Sequence, residues 1–401
     1  MATLVQKFGG TSVNGPDRIR AVARRIADAR AAGHSIVVVV SAMGDTTDDL
    51  IALARQVSPS PSRRELDMLI STGERVSMAL TAMALHDLSV EAISFTGSQS
   101  GILTDDSHSH ARIIEVRPER IRAALERGKV VIVAGFQGVS PVSKEITTLG
   151  RGGSDTTAVA LAAALAPARC EIHTDVDGVF TADPAVVPAA RVIPRLSFAA
   201  CAALARLGGR VLHARCVDLA ARERVPLAVR SAFNDHPGTE IVEETMEQPR
   251  VEAVAHQSDV CVVVAEGNAG GVAESRGIVE SVHEAFPALH LVAHEQVTPT
   301  HGALVWTGSR EDGEELKTRF REIRGPGGEW TIRVEHGAAF VSLIGLGLGS
   351  PEATRAVRAL EKAGVAMLAL RTAPSAMILR VPGDRCEDAT RALHAAFLET
   401  D

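Results

Sequence analysis

The chain of 401 residues has no tyrosine, and aromatic residues make up only 3% of it. Set against abundant alanine and arginine, that scarcity is a composition bias with no functional signal of its own. The five cysteines (Cys170, Cys201, Cys216, Cys261, Cys386) are scattered and never spaced as CxxC. This leaves no metal or redox motif and predicts reduced, buried thiols. Excess positive charge is missing as well. At a net charge of −7 neither nucleic acid nor an anionic membrane would be attracted, so the expected ligands are small. The longest apolar runs, such as "IVVVVSAM" and "VVIVAGF", are strand-length rather than bilayer-spanning. The first residues show no charged region leading into an apolar one, and the expectation is a cytoplasmic protein.

What is present reads as a globular chain, 46% hydrophobic and 23% charged, long enough for two or three domains. Up to about residue 240, apolar strand-like runs ("TLVQKF", "SIVVVV", "KVVIVAGF", "CEIHTDV", "PLAVRS") alternate with helix-length segments. Fully apolar strands separated by helices imply an α/β fold with a parallel or mixed sheet covered on both faces. Ligands of such sheets sit beyond the carboxyl ends of the strands. From about residue 245 the order changes to strand, helix, strand, strand, helix, and a similar order returns after about residue 336. This predicts two α+β modules of the βαββαβ kind. The expected domains are 1–244, 245–335 and 336–401, with strands free to exchange between the last two. The polar, proline-bearing "DHPGTEIVEETMEQP" between the two regions reads as a linker.

Five stretches, most of them loops at strand ends, carry candidate chemistry. In "KFGGTSV" the cation Lys7 stands beside Gly9 and Gly10, an outline of a phosphate cradle; a tight turn capped by Ser12 or Asn14 is the alternative. In "SAMGDTTDDL" small hydroxyl residues at the strand end, Ser41 and Thr47 among them, can face a ligand, while Thr46 or Thr47 can instead cap the next helix. "STGERVS" places Glu74 in a glycine-led helical segment. "TTLGRGGSDTTA" combines Arg151, two glycines, Ser154 and Asp155 at the head of an apolar helix. It offers free N–H donors, a planar cation and a carboxylate in one turn, against the alternative of a simple Ser or Asp cap. "TDVDGVFTADP" has the aspartate spacing of a calcium loop but lacks its terminal glutamate. Its acidic residues could also accept a ribose or sit near a nucleotide's magnesium.

These loops, with "SFTGSQSGI", "VAGFQGV", "RVLHARCVDLA" and "VRSAFNDHPGT" in order, resemble aspartate kinases over residues 1–242. The two C-terminal modules resemble, in layout, the tandem ACT domains of those kinases. The resemblance implies an amino-acid-kinase fold, ATP with Mg2+, and phosphorylation of the β-carboxylate of L-aspartate. It also implies a homodimer or larger assembly, with feedback inhibition by lysine or threonine. A carboxylate is already ionised at neutral pH, so the acceptor needs charge neutralisation rather than a base. The resemblance gives that task to Lys7 with the N–H groups of Gly9 and Gly10, and makes Asp155 the carboxylate that orients the lysine. Arg151 would grip the substrate carboxylate and Glu74 its ammonium, with Ser41, Thr47 and Ser154 completing the pocket. Thr174, Asp175, Phe180 and Arg210 match nucleotide contacts.

The chain departs from the family pattern in several places. Arg210 stands where lysine is usual, and Ala185 where arginine is. In the modules, Gly267 and Ala269 replace an Asp-x-Pro turn, Glu295 a glutamine, and Arg371, Ala373 and Pro374 interrupt a Ser-Thr-Ser-Glu run. These changes point to weakened, lost or redirected feedback, or to divergence without consequence. Met246 could start a separate regulatory subunit. Two other functions share the fold or the modules: a kinase for another carboxylate or carbamate acceptor, and a catalytically dead amino-acid sensor. Retention of Lys7, Glu74, Arg151 and Asp155 opposes the second.

Overall fold

The computed structural model describes residues 3–209, 211–243, 250–268, 272–286, 289–298, 301–324 and 329–399. The chain divides into two compact units: Met1–Thr181 with Ala190–Glu247, and Ala182–Ala189 with Gln248–Asp401.

The strands of the first unit are β1 (Thr3–Phe8), β2 (Ser35–Val40), β3 (Ala92–Phe95), β4 (Ile102–Thr104), β5 (Ile113–Val116), β6 (Val130–Ala134), β7 (Gln137–Val139), β8 (Ile146–Thr148), β9 (Ala168–Thr174), β10 (Arg195–Ser197), β11 (Leu227–Ser231) and β12 (Thr239–Val242). Its helices are α1 (Pro16–Ala31), α2 (Thr46–Val57), α3 (Arg63–Ile70), α4 (Thr72–Asp87), α5 (Glu119–Glu126), α6 (Gly153–Ala164), α7 (Phe198–Arg206) and α8 (Ala214–Arg222). Eight strands form one sheet in the order β10-β12-β11-β9-β1-β2-β6-β3. All neighbours are parallel except β11 and β12. The apolar runs explain the centre: every residue of β6, and all of β2 but Ser35, is buried, as strands covered on both faces must be. One face packs on α1 and α4, through Ile19, Val22, Ile26, Met78 and Leu85. The alanine-rich α6, buried from Gly153 to Ala162, packs on β1, β9 and α8. A helix apolar on every side is one that is buried. Because β1 pairs with both β2 and β9, the connections leave it in opposite directions. That makes the crevice at its carboxyl end the expected ligand site.

Two features differ from the sequence expectation. Thr239–Val242, inside the polar segment read as a linker, is β12; it pairs antiparallel with β11, with Thr239 and Ile241 buried. A short period-two alternation inside a charged stretch outweighed its composition. A second, four-stranded sheet of order β5-β4-β7-β8 is built from strands of only three or four residues.

The second unit contains β13 (Arg250–Asn268), α9 (Val272–Ala285), β14 (His290–Thr298), β15 (His301–Gly308), α10 (Arg310–Arg324), β16 (Trp330–Leu346), α11 (Ser350–Lys362), β17 (Ala369–Ala373), β18 (Ala376–Pro382) and α12 (Cys386–Leu398). Its six-stranded sheet is antiparallel, in the order β14-β15-β13-β16-β18-β17. The strands β13 and β16 are shared by both halves: Cys261–Asn268 pairs with β15, while Arg250–Gln257 pairs with Phe340–Leu346 of β16. The position 335/336, where the sequence suggests a module boundary, lies inside β16. Met246 and Ala269, and the side chain of Glu295, lie outside the described residues. All five cysteines are buried and none is in a disulfide. Among the described residues no helix is long and apolar enough to cross a membrane.

Candidate active site

Lys7 is the penultimate residue of β1, and Asp155 lies in the first turn of α6. Their side chains meet at 2.7 Å, with exposures of only 13% and 11%. Both come from elements meeting at the carboxyl end of the central strand, so the largely buried cation of β1 and the acidic residue of that turn neutralise each other. The cap alternatives do not hold. Gly152 caps α6 without a side chain, Gly15 caps α1 ahead of Pro16, and Asp45 precedes α2 with no side-chain bond. The side chains of Ser12, Asn14, Thr46, Thr47, Ser154 and Asp155 are therefore not engaged as N-caps of these helices. One expectation is corrected: the N–H of Gly9 donates to the carbonyl of His173 at 3.3 Å. The β1–β9 ladder runs one residue past the strand and takes that donor. The Gly10 N–H has no acceptor among the described residues.

Glu74 lies in the first turn of α4 and is 3% exposed. Its Oε1 accepts the N–H of Ala42, just beyond β2, at 3.1 Å; its Oε2 is buried without a partner among the described residues. Burial pushes the carboxyl up to about 7, against the lowering effect of backbone donors. This close seating depends on Gly73, where a Cβ would lie 2.7 Å from that of Ala42. Ser41, at the end of β2, donates its N–H to Phe8 O at 3.1 Å. Ser41 and Thr47 are half-buried.

Arg151 is exposed, and forms no ion pair or hydrogen bond among the described residues. It precedes Gly152, whose φ of +72° and closeness to the His213 ring exclude a side chain: a Cβ there would lie 2.4 Å from the ring. Burial lowers the His213 pKa, Asp155 opposes this, and Arg215 and Arg151 add to the lowering. His213 thus feels both charged ends of the turn. Ser154 is buried beside the end of β6, 2.7 Å from where a Gly135 Cβ would sit.

On the other flank, Thr174 ends β9 and donates its hydroxyl to Asp175 at 3.1 Å. Asp175 is exposed, and Phe180, half-buried, bridges to Val192. Asp177 accepts from Asn234 Nδ2 at 2.7 Å, which ties this loop to the end of β11 rather than gathering its carboxylates for calcium. Arg210 lies outside the described residues.

Sequence reasoning passed over two groups beneath the Arg151 turn, one buried and one half-buried. Asp67 of α3 is 0% exposed and accepts from Thr148 Oγ1 at 2.6 Å. Arg215 of α8 donates to the carbonyls of Leu149 and Ala111 at 3.0 and 2.8 Å. Arg215 lay within a quoted motif, but nothing in its spacing marked it. Asp67 sat among charged neighbours in "RRELDMLI".

A model of the amino acid kinase family matches residues 2–231. The chain is 44% identical to the aspartokinase of Mycolicibacterium smegmatis over 405 aligned positions, covering 99% of this chain and 96% of that relative. Among solved structures, E. coli aspartokinase III in complex with aspartate and ADP (R-state) aligns with a TM-score of 0.79 and 26% identity, over 99% of this chain and 100% of that one. The same enzyme in complex with lysine and aspartate (T-state) gives a TM-score of 0.73 and 26% identity, over 99% of each chain.

Proposed function

The chain belongs to the aspartokinase branch of the amino acid kinase family, and on that footing we propose that its strand-end loops divide phosphoryl transfer between a Lys7–Asp155 pair and an aspartate pocket built on Glu74 and Arg151. It is an aspartate kinase, moving the ATP γ-phosphoryl group to the β-carboxylate of L-aspartate to give 4-phospho-L-aspartate. The observation that carries the division of labour is the buried 2.7 Å contact between Lys7 and Asp155. Phosphoryl transfer is governed by positioning and charge, and here one anion approaches another. Asp155 fixes the ammonium of Lys7 at the crevice, and Lys7 with the Gly10 N–H offsets charge on the transferring group.

The substrate side follows from the two remaining charges. The unpartnered Oε2 of Glu74 suits an ammonium, and Arg151 suits a carboxylate by a two-pronged bond. Together they favour a free amino acid over a plain diacid, with Ser41, Thr47 and Ser154 at the pocket wall. Thr174, Asp175, Phe180 and Arg210 form the nucleotide side. Mg2+ is expected as a companion of the nucleotide. Phosphate and water oxygens would supply its ligands, as this small hard cation prefers, and its charge would offset that of the phosphates.

Residues 1–244 form the catalytic domain in this reading, and 245–335 with 336–401 the regulatory modules. Lysine, which accompanies aspartate in the T-state structure of E. coli aspartokinase III, is the first effector to consider, with threonine the second. The guanidinium of Arg371, in the departed run, is already engaged with the carbonyl of Val292 at 2.6 Å, which supports weakened, lost or redirected feedback. Assembly as a homodimer or larger is expected, and a monomer mass by light scattering would contradict it.

The test is ATP-dependent acyl-phosphate formation trapped as the hydroxamate, with aspartate beside glutamate, acetylglutamate and carbamate, and Lys7→Ala as control. Signal with aspartate alone, lost in the control, is expected. Turnover of another acceptor would overturn the pocket assigned to Glu74 and Arg151, and no turnover in folded protein would overturn the kinase.

A further inference from the structure

Asp67 belongs to none of the loops that carry the chemistry, yet it is 0% exposed and its carboxylate is surrounded by donors. Its Oδ1 accepts from Thr148 Oγ1 at 2.6 Å and from Ser109 N at 3.2 Å. Its Oδ2 accepts from Thr148 N at 3.2 Å and Ser109 N at 3.1 Å, and lies 2.8 Å from His108 Nδ1. Burying a carboxylate is costly, and an apolar side chain would hold α3 against β8 at least as well. What an apolar side chain could not do is fix the direction of four separate donors.

Those donors converge on one place. Thr148 is the last residue of β8, and Arg151 follows three residues on. The carbonyl of Thr148 accepts from Ala111 N at 2.9 Å, and Leu149 N donates to Phe136 O at 2.9 Å. Arg215 holds the carbonyls of Leu149 and Ala111 from the other side. The root of the Arg151 turn is therefore clamped, while the Arg151 side chain has no hydrogen bond among the described residues. In the opposite direction, Asp67 O accepts from Ser71 N at 3.1 Å, and Ser71 alone separates α3 from α4. Ser71 O is held by Gln137 Nε2 at 2.8 Å, and Glu74 lies three residues beyond it.

We propose that Asp67 is a positioning residue for substrate capture: it ties the root of the Arg151 turn to the start of the Glu74 helix, and so sets the spacing of the two charges that grip the amino acid. This rests on the roles given to Arg151 and Glu74 above. Asp67 touches neither substrate nor nucleotide, and its effect passes through the backbone of residues 148–151. The spacing of two gripping charges matters because a displacement of about 1 Å costs on the order of 100-fold in productive binding.

The experiment is steady-state kinetics on the full chain, varying aspartate and ATP separately, for Asp67→Asn, Thr148→Val and Arg151→Ala, and for each of the first two combined with Arg151→Ala. Asp67→Asn is expected to raise KM for aspartate on the order of 10- to 100-fold, with kcat and KM for ATP unchanged. Thr148→Val should shift the same parameter less. In the Arg151→Ala background neither change should raise KM further, because the group being positioned is gone. The inference is overturned if both variants keep the wild-type KM for aspartate, or lower only kcat and the melting temperature as a structural defect would. It is equally overturned if their effects add fully to that of Arg151→Ala. Should Asp67→Asn fail to fold, Thr148→Val decides by the same criteria. If Arg151→Ala alone leaves KM for aspartate unchanged, the assigned role of Arg151 falls, and this inference falls with it.

Discussion

Lys7 and Glu74 are both charged groups near strand ends, but only Lys7 has a partner of opposite sign. Glu74 is instead pushed up to about 7 by burial. The sign of the consequence is fixed: below that pH the free enzyme holds a neutral carboxyl that cannot pair with an ammonium, and above it a carboxylate that can. The ratio kcat/KM for aspartate should therefore rise about tenfold per pH unit up to about 7 and flatten above it. A limb near pH 4 to 5 would contradict this assignment, as would one that persists in Glu74→Gln. Lys7→Ala tests the pair: leaving Asp155 buried without its cation should cost about 3–5 kcal/mol. Adding Asp155→Asn should restore part of the melting temperature but none of the phosphoryl transfer. If the double variant melts like the single one, the pair contributes nothing to the fold. Lys7, Glu74, Arg151 and Asp155 were singled out in the sequence by the ordered resemblance to aspartate kinase motifs, since alone the Lys7 turn reads equally well as a capped turn and Glu74 as a solvated carboxylate. Asp67 was not, because its partners stand 41 to 81 residues away and its local stretch reads as a solvated helix.

At the scale of elements, the seating of α4 against the end of β2 decides where Glu74 points. A Cβ at Gly73 would meet the Ala42 Cβ at 2.7 Å, closer than packed atoms tolerate. Gly73→Ala should push the helix start outward and raise KM for aspartate on the order of 10- to 100-fold, with KM for ATP unchanged. Equal effects on both substrates would instead mean a general disturbance of the sheet. Continuous apolar runs made β2 and β6 visible in the sequence, since both of their faces are buried. The three-residue strands β4, β7 and β8 left no such trace, being too short for any period to show. β12 was hidden by the acidic residues around its two inward side chains.

For the whole molecule, the sequence suggested two successive modules after the catalytic domain, whereas β13 and β16 each run through both halves of one sheet. Long strands of this kind read locally as separate short ones, because the register shifts between Gln257 and Val262 break the alternation. With the changed effector positions, lysine and threonine at ordinary cellular concentrations are expected to inhibit the kinase by less than half; half-inhibition by either in the standard assay would contradict this. The central claim, that Lys7 serves the transferring phosphoryl group while Glu74 serves the amino acid, is tested most directly by comparing Lys7→Ala with Glu74→Gln at saturating ATP. Loss of kcat on the order of 10²- to 10³-fold with little change in KM for aspartate is predicted for the first, and a raised KM with kcat largely kept for the second. If both variants lose kcat alone, or both lose only affinity for aspartate, the two sides of the site are not separate and the account fails.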